Sequence, residues 1–504
     1  MIISKVKYRK ERIDVIAWLH HTRPTMKYIL ILLILILAIF LILVIRTLSI
    51  KKKVAYYTPS TDDERIDAYS KILQKMIQYE TISIRGIDQV EKFRGFHKVL
   101  KELFPTVFQK LEKIEIDGNL IMKWEGKDKT LDPIILISHQ DVVEASGTWL
   151  YPPFSGEIVD GRIYGRGTGD IKCGVMAFYQ AVEELLKEGY TPNCDVYLGS
   201  SCTEEIGGDG APKMVKYFKD HNIHFFMLSD EGGGIIENPV GGVKGAFASI
   251  GVFEKGYGDL KISAKGNGGH SSTPNKNTPI IRLAKFESYI EKHNVFKAKF
   301  SDGVRSMFKS LAPYAESFFL KMVMVNIRFF EPLLKRVMGN ISGDAAAMLK
   351  TTICFTMQKG SEGYNVIPQD AWVTANLRYI PHEGMEESNR KIKDIAKKFD
   401  LTCELVNGND YSNSLDLNGK PYELTTKAIK KVFPNIGIMP YVVTGGTDSR
   451  FFDPVCDNCV RFSPIMWDSE QMKGMHGLNE NIYINVLPPA VDYYKELIKL
   501  QETR

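Results

Sequence analysis

The sequence lacks several things that would place it in other classes. It has seven cysteines in 504 residues, at 173, 194, 202, 354, 403, 456 and 459. An odd, scattered set in a chain of this length is not a disulfide framework. Cys456-x-x-Cys459 has no second pair to complete a structural zinc site, so both read as ordinary thiols. The body also lacks a net positive charge. Residues 1–53 hold eleven Lys/Arg against Glu11 and Asp14, and the rest of the chain carries 54 against 58, a net −4. The body is mildly acidic, and nothing in this balance points to nucleic-acid binding. Repeats and low-complexity tracts are absent. The Gly-x-Gly-x-x-Gly spacing of a nucleotide loop is missing too, with Gly165-Arg-Gly-Thr-Gly169 only a superficial likeness.

Long apolar runs are scarce, and one stands out. Tyr28 to Ile45 is 18 residues, apolar apart from the tyrosine hydroxyl. As a helix it is about 27 Å long, enough to cross a bilayer core. A signal peptide has a shorter apolar region and a small-residue cleavage site, and Arg46-Thr-Leu-Ser-Ile-Lys-Lys-Lys53 offers none. The expectation is a basic tail (1–27), a transmembrane helix (28–45) and a linker (46–66). Seven Lys/Arg precede the span and four come after it. This bias favours a cytoplasmic N-terminus and a body on the non-cytoplasmic side, although Lys51 to Lys53 argue against it. Phe318–Leu334, interrupted by Lys321, Arg328 and Glu331, reads as core of an inserted domain. Asn340-Ile-Ser342 is a glycosylation sequon.

From residue 67 apolar strands alternate with amphipathic helices, which predicts an α/β fold around a central, mostly parallel sheet. Near Lys244 the pattern changes. Gly245–Glu254 and Asp259–Lys265 alternate at period two and suggest a hairpin around Gly256-Tyr-Gly258. Helices over 279–294 and 303–338 come next, then strands near 352–358 and 372–379. The reading is an α/β domain in two parts, 67–243 and 409–504, with an α+β domain inserted at 244–408.

Five segments share one grammar, an apolar strand and then a metal-type ligand, which for Asp170 sits in a glycine-rich turn. They are Ser138-His139-Gln-Asp141, Gly165-Arg-Gly-Thr-Gly-Asp170, Thr203-Glu204-Glu205, Ser229-Asp230-Glu231, and Met475-His476-Gly477. In α/β sheets ligands gather beyond the carboxyl ends of the strands. Two imidazoles with carboxylates suit zinc rather than magnesium or calcium. Five ligands are too many for one open tetrahedral ion, and suit two ions about 3.5–4 Å apart sharing one carboxylate. Adjacent carboxylates, Glu204 and Glu205, allow one to bind metal while the other acts as a base.

With these motifs, and with Pro152-Pro-Phe-Ser-Gly156, Gly269-His-Ser-Ser-Thr-Pro274 and Gly445-Gly-Thr-Asp448, the chain from about residue 67 resembles the zinc-dependent aminoacylase/carboxypeptidase family. That family includes acetylornithine deacetylase, succinyl-diaminopimelate desuccinylase and carboxypeptidase S. The Pro-Pro-Phe-Ser-Gly run and the N-terminal anchor are most similar to the carboxypeptidase S branch. The resemblance implies two zinc ions, with cobalt or manganese able to substitute in vitro. It implies His139 and Asp230 on one ion, Glu205 and His476 on the other, and Asp170 between them. Asp141 would orient the first histidine and Glu204 would be the general base. His270, in the insert, would stabilise the oxyanion after closure or from a second copy. Asn365 and Arg378 would bind the substrate carboxylate, and Gly446 would lie in a backbone contact near the site. A homodimer through the insert is implied as well.

The implied reaction is hydrolysis of an amide next to a free carboxylate, in a short peptide or an N-acyl amino acid. Two alternatives share the fold. One is a deacylase of a biosynthetic intermediate, against which the membrane anchor counts. The other is a binding protein without catalysis, against which the retained Glu204 and full ligand set count. Two features depart from the family pattern: Ile171 comes directly after Asp170, and the insert is long through 296–350.

Overall fold

The apolar runs that end in candidate ligands become neighbouring strands. The computed structural model describes residues 27–341 and 343–504. Ile134–Ile137 (β3) lies between Val196–Ser200 (β6) and Met227–Asp230 (β7), parallel to both, and Cys459–Arg461 (β17) pairs parallel with β7. These strands are buried along their whole length, as the continuous apolar runs require of a sheet covered on both faces. Their carboxyl ends therefore share one edge. Around this parallel centre the sheet is mixed. Glu112–Ile116 (β1) and Asn119–Trp124 (β2) add antiparallel on one flank. Gly234–Glu237 (β8), Ala246–Glu254 (β9), Gly437–Val443 (β16) and Met466–Trp467 (β18) add on the other, where β9 is antiparallel to β8 and β17, and parallel to β16. A three-stranded sheet, Glu157–Val159 (β4), Arg162–Tyr164 (β5) and Asn481–Tyr483 (β19), lies beside the candidate ligand loops.

Helix Lys172–Lys187 starts just after Asp170 and is buried along almost all of its length. Helix Leu487–Lys499 crosses it, with Tyr494 edge-on to Phe178 at 5.8 Å. The packing fixes the loop carrying Asp170 against the sheet.

A second, antiparallel sheet has the order Thr352–Lys359 (β12), Asp370–Tyr379 (β14), Gly256–Lys265 (β10), Thr402–Asn409 (β15). It has its own core, including Leu260, Ile262, Leu283, Phe286 and Ile392, under helices Pro279–Lys292 and Met385–Lys397. Gly269–His270 (β11) and Val366–Ile367 (β13) form a two-stranded ribbon beside it.

Three expectations are corrected. The hairpin around Gly256-Tyr-Gly258 does not form: β9 belongs to the large sheet and β10 to the second. Period two described both strands, but β9 is buried on both faces while β10 alternates. The chain crosses between sheets at Lys255, whose buried ammonium donates to the Ala347 (3.0 Å) and Lys350 (2.9 Å) carbonyls. The expected helix 303–338 is three helices, Asp302–Leu311, Phe318–Val325 and Ile327–Ile341. Its buried residues, with Val304, Met307, Leu311 and Met324 among them, join the core of the large sheet and not that of the insert.

The third correction concerns the linker. The N-terminal helix runs Lys27–Leu48, and it is long and apolar enough to cross a membrane. The segment after this helix is docked on the body. Lys53 N–H donates to Pro313 (2.9 Å) and Tyr56 N–H to Asn435 (3.0 Å), Ala55 is buried, and helix Asp63–Gln78 begins under an Asp62 cap. Residues 1–26 of the basic tail and Ser342 of the sequon lie outside the described residues.

Candidate metal centre

His139 leaves β3 with its ring fully buried. Its Nδ1 lies 2.9 Å from the Asp141 carbonyl oxygen, so the ring donates there and turns Nε2 outward as the ligating nitrogen. That Nε2 is 3.1 Å from Asp170 Oδ1 and 3.2 Å from Glu231 Oε1. On the other side, Asp170 Oδ2 is 2.9 Å from His476 Nε2, which is also 3.0 Å from Glu205 Oε2. Asp170 thus spans the two histidines. Ligand atoms of His139, Asp170 and Glu205 lie within 4.8 Å of one another, as do those of His139, Glu204 and Glu231.

Asp230 is the exception among the expected ligands. Its Oδ2 accepts from the Ser449 N–H (2.8 Å) and its Oδ1 from the Glu231 N–H (2.8 Å). Strand alternation explains why: on β7, Asp230 shares the face of Leu228, which packs with Phe452, and the next residue points the other way. The carboxylate beside His139 is that of Glu231.

Asp141 acts differently from expectation. Its backbone carbonyl, more than its carboxylate (3.7 Å), orients His139. The carboxylate accepts from Ser83 Oγ (2.7 Å) and from the N–H groups of Glu204 (3.2 Å) and Glu205 (3.1 Å), pinning the turn that presents both glutamates. Burial pushes Asp141 up to about 6.

Burial also raises Glu204 well above the usual carboxylate range, with Asp448, Glu231 and Glu205 adding repulsion. Glu231 is pushed to about 7, chiefly by burial. For Asp170, hydrogen bonds to both imidazoles overcome burial and hold it low. His476 is raised to about 10 by its hydrogen bonds to Asp170 and Glu205. Four carboxylates converge on two imidazoles, an excess of buried negative charge that calls for cations. Glu205 Oε1 is buried and has no hydrogen-bond partner. An orphaned carboxylate oxygen in this place fits a metal ligand, and the nitrogen and oxygen donor set fits zinc.

Two supporting groups have no sequence motif. Glu480 accepts from the N–H groups of Gly167, Gly169 (2.8 Å) and Asp170 (3.0 Å) and pairs with Arg166 at 2.7 Å, both side chains buried. Gly167 has φ +91°, and a Cβ there would stand 2.8 Å from Val142, so glycine is required. Arg166 also donates to the Gly477 carbonyl (2.8 Å), beside His476. One ion pair thus ties the Asp170 loop to the His476 loop. Behind the centre, Glu254, in a buried pair with Arg461, accepts from Thr447 and Ser449, Asp448 accepts from Ser201, and the Gly445–Ser449 loop is held in place.

The remaining expected residues are not at the cluster. His270 is exposed on β11 with Nδ1 2.8 Å from Ser272 Oγ. Asn365 is next to it, its carbonyl accepting from Ser271 N–H at 3.0 Å. Arg378, on β14, lies over the Tyr257 ring, and burial, then the charge of Arg450, lowers its pKa. A Cβ on Gly446 would meet the guanidinium of Arg450, whose buried Nε has no partner. Gly446 thus lies against Arg450, whose charge acts on Arg378, and no sequence motif marks Arg450.

Against Asp170 and Glu231 opens a cavity of about 510 Å³. Its walls are apolar and rich in methionine: Met307, Met348, Met439, Met472 and Met475, with Ile171, Val240, Val442 and Trp467.

The chain is 32% identical over 486 residues to probable carboxypeptidase S-like 2 of Dictyostelium discoideum, covering 91% of this chain and 90% of that one. It is 32% identical over 450 residues to the human N-fatty-acyl-amino acid synthase/hydrolase PM20D1, covering 88% and 89%. Its fold matches an M20 family metallo-carboxypeptidase from Sulfolobus solfataricus with a TM-score of 0.63 at 18% identity, over 86% of this chain and 99% of that one. The sequence model of peptidase family M20/M25/M40 matches residues 135–500, and the chain belongs to that family of divalent-metal hydrolases.

Proposed function

We propose that this protein is a membrane-anchored hydrolase of N-long-chain-acyl amino acids with a two-metal centre. The observation that carries the reading is the methionine-lined cavity of about 510 Å³ ending at Asp170 and Glu231. A peptide backbone would find few polar partners in such walls, whereas an acyl chain fills them, and methionine adapts to its kinks. The human relative's name, N-fatty-acyl-amino acid synthase/hydrolase, agrees with this.

In this reading His139 and Glu231 would hold one ion and Glu205 and His476 the other, with Asp170 available to both. Zinc suits the donors, with cobalt or manganese as substitutes. Bound there, the ions supply Lewis acidity to the scissile carbonyl and acidify the attacking water. Glu204 takes the proton of that water and returns it to the leaving amine, so water's hydroxyl ends on the acyl carbon and both protons on the amino acid and acid products. Arg378 and Arg450 draw in the substrate carboxylate beside Gly446. His270 and Asn365 reach the substrate only if the second sheet closes over the cleft or a second copy supplies them. Helix Lys27–Leu48 anchors the body, placed on the non-cytoplasmic side by the charge bias of the sequence.

The test is an N-acyl-phenylalanine series from acetyl to hexadecanoyl. Each buried methylene is worth about 0.8 kcal/mol, so kcat/KM is expected to rise about fourfold per carbon until the cavity is full. A flat series, or preference for Gly-Xaa dipeptides, moves the assignment to a carboxypeptidase. A second prediction separates the neighbouring acids. Glu231→Gln is expected to lose one metal equivalent by elemental analysis of the purified protein, and Asp230→Asn to keep both. The reverse pattern restores Asp230 as the ligand.

A further inference from the structure

The helix pair Phe318–Val325 and Ile327–Ile341, read from sequence as the core of the insert, is not covered by it. Phe319 is 68% exposed, Leu333 61% and Phe329 54%, with Phe318 and Val337 also exposed. Phe329, Leu333 and Val337 recur at four-residue spacing and so line one stripe of their helix. Large apolar side chains gathered in this way on a surface mark something that covers them.

Their position relative to the N-terminal helix says what that is. Asn326, in the turn between the two helices, is buried, and its Nδ2 donates to Leu43 O and Thr47 Oγ1, both at 3.2 Å. Lys321 Nζ donates to the Ile50 carbonyl. Leu43 and Thr47 are the buried residues of a helix that is otherwise exposed apart from half-buried Val44. They stand at the end of the apolar run, where the bilayer core gives way to headgroups. The turn at Asn326 is therefore held at that level, and Phe329 comes within one helical turn of it. Arg328 and Arg336 are exposed on the same helix, and Lys51 to Lys53 lie just beyond the anchor. Aromatic and aliphatic side chains edged by arginine and lysine are what an interfacial helix presents to phospholipid.

We propose that these two helices rest on the bilayer that Lys27–Leu48 crosses, with Phe318, Phe319, Phe329, Leu333 and Val337 at the boundary of headgroups and acyl chains. The inference rests on the anchor reading above. Helix Asp302–Leu311, packed against this pair, lends Met307 to the acyl cavity, and Met348 comes shortly after the pair in the chain, so the contact brings that wall of the cavity toward the pool where amphiphilic substrates dissolve.

The test uses the full chain, reconstituted in phosphatidylcholine vesicles, with Cys354→Ser and Cys403→Ser removing the accessible thiols. An environment-sensitive fluorophore is attached at Phe329→Cys, Leu333→Cys, Leu35→Cys or Tyr364→Cys, the last a fully exposed position on the insert. Retained hydrolysis of a short-chain substrate shows that each variant is folded. Shallow nitroxide lipids are expected to remove about half of the emission at 329 and 333, as for a side chain buried at the acyl boundary, and deep ones that at 35, leaving 364 unchanged. Quenching at 35 without quenching at 329 and 333 overturns the proposal and keeps the anchor. No quenching at 35 overturns the anchor reading, and this inference with it. Emission at 329 and 333 that changes only with protein density assigns the face to a second copy and overturns the lipid contact.

Discussion

Glu204→Gln is expected to lower kcat by about 10²–10⁴-fold, the range for removal of a positioned general base, while the metal content stays that of the wild type. The reasoning is geometric. Glu204 belongs to a set with His139 and Glu231, yet the charge partners of His476 are Asp170 and Glu205. It is the carboxylate left over once each imidazole has been matched with acids. Its pKa is raised by burial, which suits a group that must accept a proton and give it back. Glutamine preserves volume and the backbone bonds to Asp141, so folding and metal loading should persist. KM should change little, because the lost interaction is with a proton in flight and not with bound substrate. The measurement is steady-state kinetics on the best N-acyl amino acid, with elemental analysis of the same preparation. Loss of metal in step with activity would make Glu204 a ligand and leave the base unassigned.

Much of this centre is legible in the sequence because its chemistry sits where strands stop. Apolar runs at 134–137 and 196–200 end in polar groups, and parallel pairing puts those ends on one edge. His476 and Asp170 come from loops, and spacing alone does not bring them together. Legibility fails where the geometry depends on orientation or on distant partners. Asp230 and Glu231 are chemically equivalent in sequence, and only strand alternation counted from Leu228 chooses between them. Asp141 reads as a group that orients a histidine, but its carboxylate serves amides of a turn 63 residues away. The cis peptide at Asp170–Ile171 has no proline to announce it. The helices of 296–350 resemble insert core because apolar sequence says that a face is covered and not by what.

Glu480 is the largest omission, and it leads to the second expected result. Glu480→Met should destabilise the fold by about 3–5 kcal/mol, the usual cost of stranding one member of a buried ion pair, and should lower metal occupancy at the same time. Arg166 would be left charged and buried against Trp149. The N–H groups of Gly167, Gly169 and Asp170 would lose their acceptor, in the loop that presents the carboxylate lying between both histidines. A simple buried pair offers an escape: replacing both partners with apolar side chains often restores stability. Here that escape is closed. Adding Arg166→Met removes the stranded charge, but the three backbone donors remain without their acceptor, and a buried donor left unpaired is destabilising. The double variant should therefore recover only part of the loss, and its metal content should stay low because the Gly477 carbonyl beside His476 has lost its donor as well. Denaturant unfolding of the single and double variants, with metal analysis, decides it. Full recovery in the double variant would mean that Glu480 serves Arg166 alone, and that the Asp170 loop holds its shape without it.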